Sequence, residues 1–331
     1  MEFNCYNDIY FQEEYANLYI DEDEEIFNFT HKNTGKWLFN ISIKRPINPV
    51  GKQQTTQSLF DLETAYGYGG ICTNTKDEQF VNEAIRKYRN LCFSNNIVAE
   101  FFRFHPFNSF PYLFPKHFDF LVKDRPTVVI NLKRPYEEIF SDFKSSLRRN
   151  IRKANKNGLF FTEMEKSPEN IEAFIELYYL TMKRNKATSF YFFSKSYFQK
   201  LFQNKYVKLY GVYYKNNLIN AGIFLFSPEI IYYHLGASDP NYYFLNGNPL
   251  LFAEVCHANV YKYDKLYLGG GNTSRLDDSL FQFKRKFSGE TKPFYIGGMI
   301  YNKRAYNNLV KLWEKQNPQD NRVFFLKYRL K

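Results

Sequence analysis

The chain has 331 residues, which suits two domains of ordinary size, and its 44% hydrophobic content is enough to bury real cores. A formal charge of +11 and a pI near 9.2 favour anionic partners (nucleic acid, phosphorylated substrates or an acidic membrane surface) and say nothing about fold. Cys5, Cys72, Cys92 and Cys256 lie far apart without a CxxC pair, which excludes a zinc-ribbon pattern and a dense disulfide framework; reduced, mostly structural thiols are expected.

Met1–Glu25 is acidic and aromatic rather than a basic, apolar leader. No run approaches the ~18 apolar residues of a membrane span. The expectation is a soluble, cytoplasmic protein. Residues 10–80 read as short strands and loops, with Lys36–Lys44 strand-like. Val81, Ala84, Ile85, Tyr88 and Cys92 recur at helical spacing and predict a helix over Phe80–Asn95. Ile97–Phe104 alternates as a strand stopped by Pro106, and Pro126–Leu132 predicts another. From Pro135 one helical stretch is expected through to the Asn157-Gly158 stop, with Leu147, Ile151 and Ala154 on one face. Helices are predicted over Pro168–Asn185 and Ser194–Gln203. Val207–Tyr214, Leu218–Phe226 and Ile230–Leu235, joined by Lys215-Asn216-Asn217 and Ser227-Pro228-Glu229, read as a three-strand antiparallel meander. A helix over Asn248–Tyr261 and a strand over Lys265–Leu268, running into Gly269-Gly270-Gly271, complete the pattern.

Several stretches together carry a family likeness. FKSSLRRNIRKANKNGL, from Phe143 to Leu159, resembles the domain-joining segment of the Fem family of peptidoglycan bridge aminoacyltransferases and their acetyltransferase-like (GNAT) relatives. YYLTMKRNKATSFYFFSK (Tyr178–Lys195), YYHLGAS (Tyr232–Ser238), NPLL (Asn248–Leu251) and LGGGNTSRLDDSLFQFKRKFSG (Leu268–Gly289) are similar to the segments that follow there. AYGYGG (Ala65–Gly70) and EFFRFHPF (Glu100–Phe107) resemble motifs of the envelope-polysaccharide branch. No one motif is specific; their order and spacing over residues 60–300 are. The resemblance implies an α/β (α+β) chain of two tandem acetyltransferase-like domains, each a mixed, largely antiparallel twisted sheet flanked by helices. On this expectation residues 1–140 form the first domain, completed by 315–331 through a return near Val323–Tyr328, and 141–314 form the second. It further implies transfer of an acyl or aminoacyl group to an amine of a nucleotide- or lipid-linked cell-envelope precursor, with peptidoglycan and surface polysaccharide as the two settings.

The candidate residues follow from their chemistry. Lys144, Arg148, Arg149, Arg152, Lys153 and Lys156 give a stripe without an acid, suited to tRNA or another phosphate-bearing ligand, against the plain alternative of a solvated face. Tyr66 and Tyr68 among glycines can stack on a sugar or uracil ring, or simply pack their own loop. Arg103 and His105 end a strand, where a guanidinium can meet a phosphate or carboxylate or else form a structural ion pair. Gly270 and Asn272 permit close approach of a substrate to the backbone. His234 is a candidate proton acceptor, Asp278 a second, and Lys284 a cation for a developing oxyanion or a phosphate. Asp277 stands beside them, and the base is not assigned. Ser238–Asn248 lacks the Gln/Arg-x-x-Gly-x-Gly/Ala spacing that ordinarily holds the pyrophosphate of CoA, which turns the expectation toward aminoacyl-tRNA as donor. No bound cofactor is expected and no metal-ligand spacing occurs. An acyl-CoA-dependent N-acyltransferase acting on an amino sugar, and a non-catalytic binding module of the same fold, remain the competing readings; a peripheral membrane contact stays open.

Overall fold

The computed structural model describes residues 3–50 and 58–330. In chain order the strands are β1 (Glu25–Asn33), β2 (Lys36–Pro46), β3 (Phe60–Glu63), β4 (Cys72–Thr73), β5 (Ile97–Arg103), β6 (Phe120–Asn131), β7 (Phe160–Met164), β8 (Val207–Tyr214), β9 (Asn217–Phe226), β10 (Ile230–Ser238), β11 (Lys265–Gly269) and β12 (Thr291–Ile300). They fall into two compact units, one of residues 1–124 with 293–331, the other of residues 125–292. The chain leaves the first unit within β6 and re-enters it within β12.

In the first unit β1 and β2 form an antiparallel hairpin, turned by Thr34 and Gly35, both at positive φ as a tight hairpin turn requires. β3 joins β2 antiparallel and β5 parallel, and β12 joins β5 antiparallel. The Glu78–Ser94 helix starts at Asp77, whose carboxylate accepts the N–H groups of Gln79 and Phe80. Its buried face is Phe80, Val81, Ala84, Ile85, Tyr88 and Cys92, packed with Leu62, Ile97, Phe102 and Met299. On β5 the carboxylate of Glu100 is fully buried and accepts from Asn40, Ser42, Tyr88 and Tyr301. Burial pushes its pKa up despite those donors.

The first unit is completed from the far end of the sequence. Leu309 and Trp313 of the Lys303–Gln316 helix, with Leu326 and Tyr328, share a core with Val98 and Phe101. The expected return thus runs through Leu326 and Tyr328, while Val323 is 99% exposed. The unit boundaries differ from those read off the sequence, because β12 pairs with β5 and the 303–316 helix packs behind it. Cys5 and Cys72 are joined as a disulfide, against the expectation of four reduced thiols; Cys92 and Cys256 are free and buried. A sequence separation of 67 hid a contact that only the folded N-terminal segment creates.

The second unit carries the sheet order β6-β11-β10-β9-β8-β7. Every neighbouring pair is antiparallel except β10 and β11. The predicted meander is present as β8, β9 and β10, as are the Pro168–Arg184, Lys195–Gln203 and Gly247–Asn259 helices. The single helix expected after Pro135 is two, Tyr136–Asp142 and Ser145–Lys156. Phe143 and Lys144 are extended between them, and the Lys144 N–H bonds the Lys286 carbonyl at 2.8 Å. Arg148 donates to the carbonyls of Ser141 and Phe143, closing the break. Leu147, Ile151 and Ala154 are buried against the 247–259 helix and the sheet, as their spacing required. Among the described residues no helix is long and apolar enough to cross a membrane.

Candidate active site

The second unit's sheet opens at one place. β10 and β11 pair only through Ile230–Tyr232 and Lys265–Tyr267. Beyond that point β10 continues along β9 as far as Ser238, and β11 continues along β6 as far as Gly269. Both show a register shift where they part, between Tyr233 and Leu235 and between Tyr267 and Gly269. Bulges of this kind free backbone polar groups from the ladder and re-aim side chains. The two strands therefore enclose a wedge whose facing edges are not hydrogen-bonded to each other.

Lys284, the last residue of the Ser279–Lys284 helix, reaches both sides of that wedge. Its Nζ donates to the Gly270 carbonyl at 2.8 Å, just past β11, and lies 5.7 Å from the ring centroid of Tyr233 at the β10 bulge. The side chain is buried, and burial pushes its pKa down to about 7, with Asp278 partly offsetting the shift. A lysine so placed carries or releases its proton near neutrality.

Asp278 holds the loop that presents Gly270. One carboxylate oxygen accepts the N–H groups of Leu280 and Phe281 and caps the helix; the other accepts the N–H and hydroxyl of Thr273. Partial burial opposes its charge, but those N–H donors outweigh burial and keep the carboxyl below its usual range. A Cβ on Gly271 would come within 2.3 Å of Asp278 Oδ1, so only glycine lets the loop close on the cap. Arg125 Nη1 donates to the Gly271 carbonyl at 2.9 Å, so successive carbonyls of the glycine run each meet a cation. Asn272 is exposed on the same loop, and Asp277 forms an exposed ion pair with Arg275.

His234 sits in the bulge of β10, with Nε2 2.9 Å from the Tyr197 hydroxyl. Burial pushes its pKa down to about 3, leaving a neutral imidazole that is a weak proton acceptor. On the 145–156 helix Arg149, Arg152 and Lys153 are exposed; Arg148 is half-buried and bound to backbone carbonyls. The stripe thus divides into one arginine that shapes the helix start and a set of solvent-facing cations.

The remaining candidates lie in the first unit. His105 is buried, stacked on Phe3 at 4.2 Å, with Tyr68 edge-on at 5.8 Å. Burial lowers its pKa well below the usual imidazole range. Tyr68 also meets Tyr10 and Phe294 edge-on, and the Tyr66 carbonyl accepts from the Tyr15 hydroxyl at 2.8 Å. Arg103 pairs with Glu63 at 2.6 Å, not with Glu100, and Glu63 is shared with Arg45. These four residues consequently pack and tie the first unit's own loops. Among the described residues no group of three or more His, Cys, Asp or Glu side chains is arranged to hold a metal ion.

Tyr233, Tyr197 and Arg125 escaped the sequence reading. A β-branched and aromatic strand gives no sign of where it will bulge, and Arg125 lies at a strand centre rather than in a motif. Asp278 was readable as a helix cap, since an Asp followed by Ser-Leu-Phe is an N-terminal signal.

Residues 141–285 match the acetyltransferase (GNAT) domain family. Solved structures with the same fold include FemX, at 13% identity over 91% of this chain and 94% of that one, with a TM-score of 0.70. The lysylphosphatidylglycerol synthetase-like C-terminal domain from Agrobacterium fabrum aligns at 12% identity, 86% and 85% coverage and TM-score 0.53. L-PGS from Bacillus licheniformis aligns at 13%, 85% and 85%, and 0.54. No curated protein sequence matches the chain.

Proposed function

We propose that this acyltransferase, whose residues 141–285 form an acetyltransferase (GNAT) domain, moves an aminoacyl group from aminoacyl-tRNA to an amine of a cell-envelope precursor. The observation that carries the choice of donor is the start of the Gly247–Asn259 helix, which follows β10 where a CoA pyrophosphate would need free N–H groups. Here Pro249 has no N–H, and the Leu250 N–H is already bonded to the Asn246 carbonyl. Gly247 is buried, and a Cβ there would lie 2.0 Å from Asn220 Oδ1. A crowded helix start with few donors is a poor cradle for a diphosphate. The exposed cations Arg149, Arg152 and Lys153 offer a polyanionic donor a different hold. The FemX fold and the Fem-like motifs support the same reading.

In this reaction the acceptor amine attacks the ester carbonyl, forming a C–N bond and a tetrahedral oxyanion. The ester C–O bond then breaks, the amine proton passes to the departing tRNA hydroxyl, and an amide remains. The wedge between β10 and β11 offers strand edges that are not paired with each other for alignment, and Lys284, as an ammonium, offsets the oxyanion charge. Asp278 and Gly271 fix the loop against which Lys284 bonds. No covalent enzyme intermediate is required.

The alternative donor is acyl-CoA, favoured by the acetyltransferase family match itself. Transfer of label from an aminoacyl-tRNA pool and, separately, from acetyl-CoA to an extract of envelope precursors decides between them. Label moving from tRNA alone is expected. Label moving from CoA alone would overturn the argument from the crowded helix start.

A further inference from the structure

We propose that the second unit docks on an anionic lipid surface through an aromatic and basic patch formed by the Lys186–Phe193 loop and the Pro240–Leu245 turn. Large apolar side chains are exposed on both segments: Phe190 is 56% exposed and Phe244 65%, with Tyr191, Phe192 and Tyr243 also open to solvent. The C-terminal end of the Pro168–Arg184 helix joins the two. The Tyr178 and Tyr179 hydroxyls donate to the carbonyls of Tyr191 and Phe193, at 2.7 and 2.6 Å, and hold the loop. The Arg184 guanidinium lies 4.7 Å over the Tyr243 ring and holds the turn. Thr181 bonds Ser238 immediately before that turn. These contacts hold the backbone of the loop and the Tyr243 ring, and leave Phe190 and Phe244 exposed to solvent, where single exposed aromatics need no explanation but a cluster does.

The charge around the patch selects the occupant. Residues 177–228 contain no Asp or Glu, while Lys183, Arg184 and Lys186 stand exposed at the base of the aromatic loop. Asp239, the acid beside the turn, is used as its N-cap, accepting the Asn241 N–H. Exposed phenylalanines on two short 3-10 segments with a rim of cations is the composition of a membrane-interfacial surface: rings enter the headgroup boundary and cations meet anionic lipid. Single-stranded RNA also stacks on aromatics, but on platforms beside a basic groove. Phe190 and Phe244, exposed on two separate short 3-10 segments rather than along a groove, suit insertion better than stacking. This surface lies outside the wedge and the 145–156 helix, and its test does not depend on the donor.

The test is co-sedimentation of the full chain with vesicles of phosphatidylcholine alone and of phosphatidylcholine mixed with phosphatidylglycerol, with a single-stranded homopolymer RNA run in parallel. Binding to the anionic vesicles, weakened by salt, is expected. Phe190→Ser with Phe244→Ser should weaken it roughly tenfold per ring. Lys183→Gln with Lys186→Gln should weaken it about fivefold per cation. Because all four side chains are exposed, unchanged thermal midpoints should accompany these losses. No binding of the wild-type chain to anionic vesicles would overturn the proposal. So would equal binding by the four-substitution variant, or loss of RNA binding in that variant without any vesicle binding.

Discussion

Replacing Lys284 by methionine should stabilise the protein at neutral pH while abolishing transfer. An ordinary lysine titrates at 10.5, and burial brings this one down to about 7, a difference of 10.5 − 7 = 3.5. At 1.36 kcal/mol per unit, the folded state at pH 7 bears about 5 kcal/mol of desolvation that an uncharged side chain would not. Methionine has similar length but loses the bond to the Gly270 carbonyl, which costs about 1–3 kcal/mol. A net gain of about 2–4 kcal/mol at pH 7 follows. Between pH 7 and 10.5 the unfolded chain binds this proton and the folded chain does not, so wild-type stability rises with pH across that window. The gain from methionine should shrink over the same window and give way above it to a loss of about 1–3 kcal/mol, the cost of the missing bond to Gly270. Urea unfolding of both proteins at about pH 7 and about pH 10 measures this directly. A stability difference independent of pH would mean that Lys284 keeps its charge in the fold, and the reasoning would be wrong. The same titration predicts that kcat/KM falls as pH rises through about 7 if the ammonium offsets the oxyanion. A rise there would instead make the neutral amine a base.

Alanine at Arg149, Arg152 and Lys153 together should raise KM for aminoacyl-tRNA with little change in kcat, and reduce the slope of log affinity against log salt by about three. An unchanged slope would remove the 145–156 helix from the tRNA contact. His234→Gln should keep transfer within about tenfold and lower stability by about 1–3 kcal/mol through its contact with Tyr197; loss of all turnover in a folded variant would make His234 part of the chemistry. Glu100→Ala, which strands donors from Asn40, Ser42, Tyr88 and Tyr301 in a dry core, should cost about 3–5 kcal/mol in chemical denaturation. A cost below about 1 kcal/mol would mean that water reaches that cluster.

Periodicity carried much of the fold. The 78–94 helix, the β8–β9–β10 meander and the buried Leu147-Ile151-Ala154 face were legible because each repeats apolar residues at the spacing of its own backbone. The break at Phe143–Lys144 was not, since neither residue is Gly or Pro; a tertiary bond to Lys286 and the reach of Arg148 decide it. The cysteine pairing was hidden for a related reason, as its partners meet only after the N-terminal segment folds back. At the site, Gly270, Asp278 and Lys284 could be singled out as polar or flexible residues of one motif. That they meet across a parted pair of strands, opposite Tyr233, depends on where β10 and β11 stop pairing, which no residue type announces.

The passage of the chain out of the first unit in β6 and back into it in β12 has a consequence for synthesis on the ribosome. Residues 125–292 emerge complete and can close while the first unit still lacks β12, the Lys303–Gln316 helix and the Leu326–Tyr328 return. The unit whose first residues are translated before residue 125 is thus the one that finishes last. A premature stop near codon 293 would spare the domain translated just before it and cripple the one translated first, leaving β5 without β12 and Val98 and Phe101 without the cover of Leu309 and Trp313.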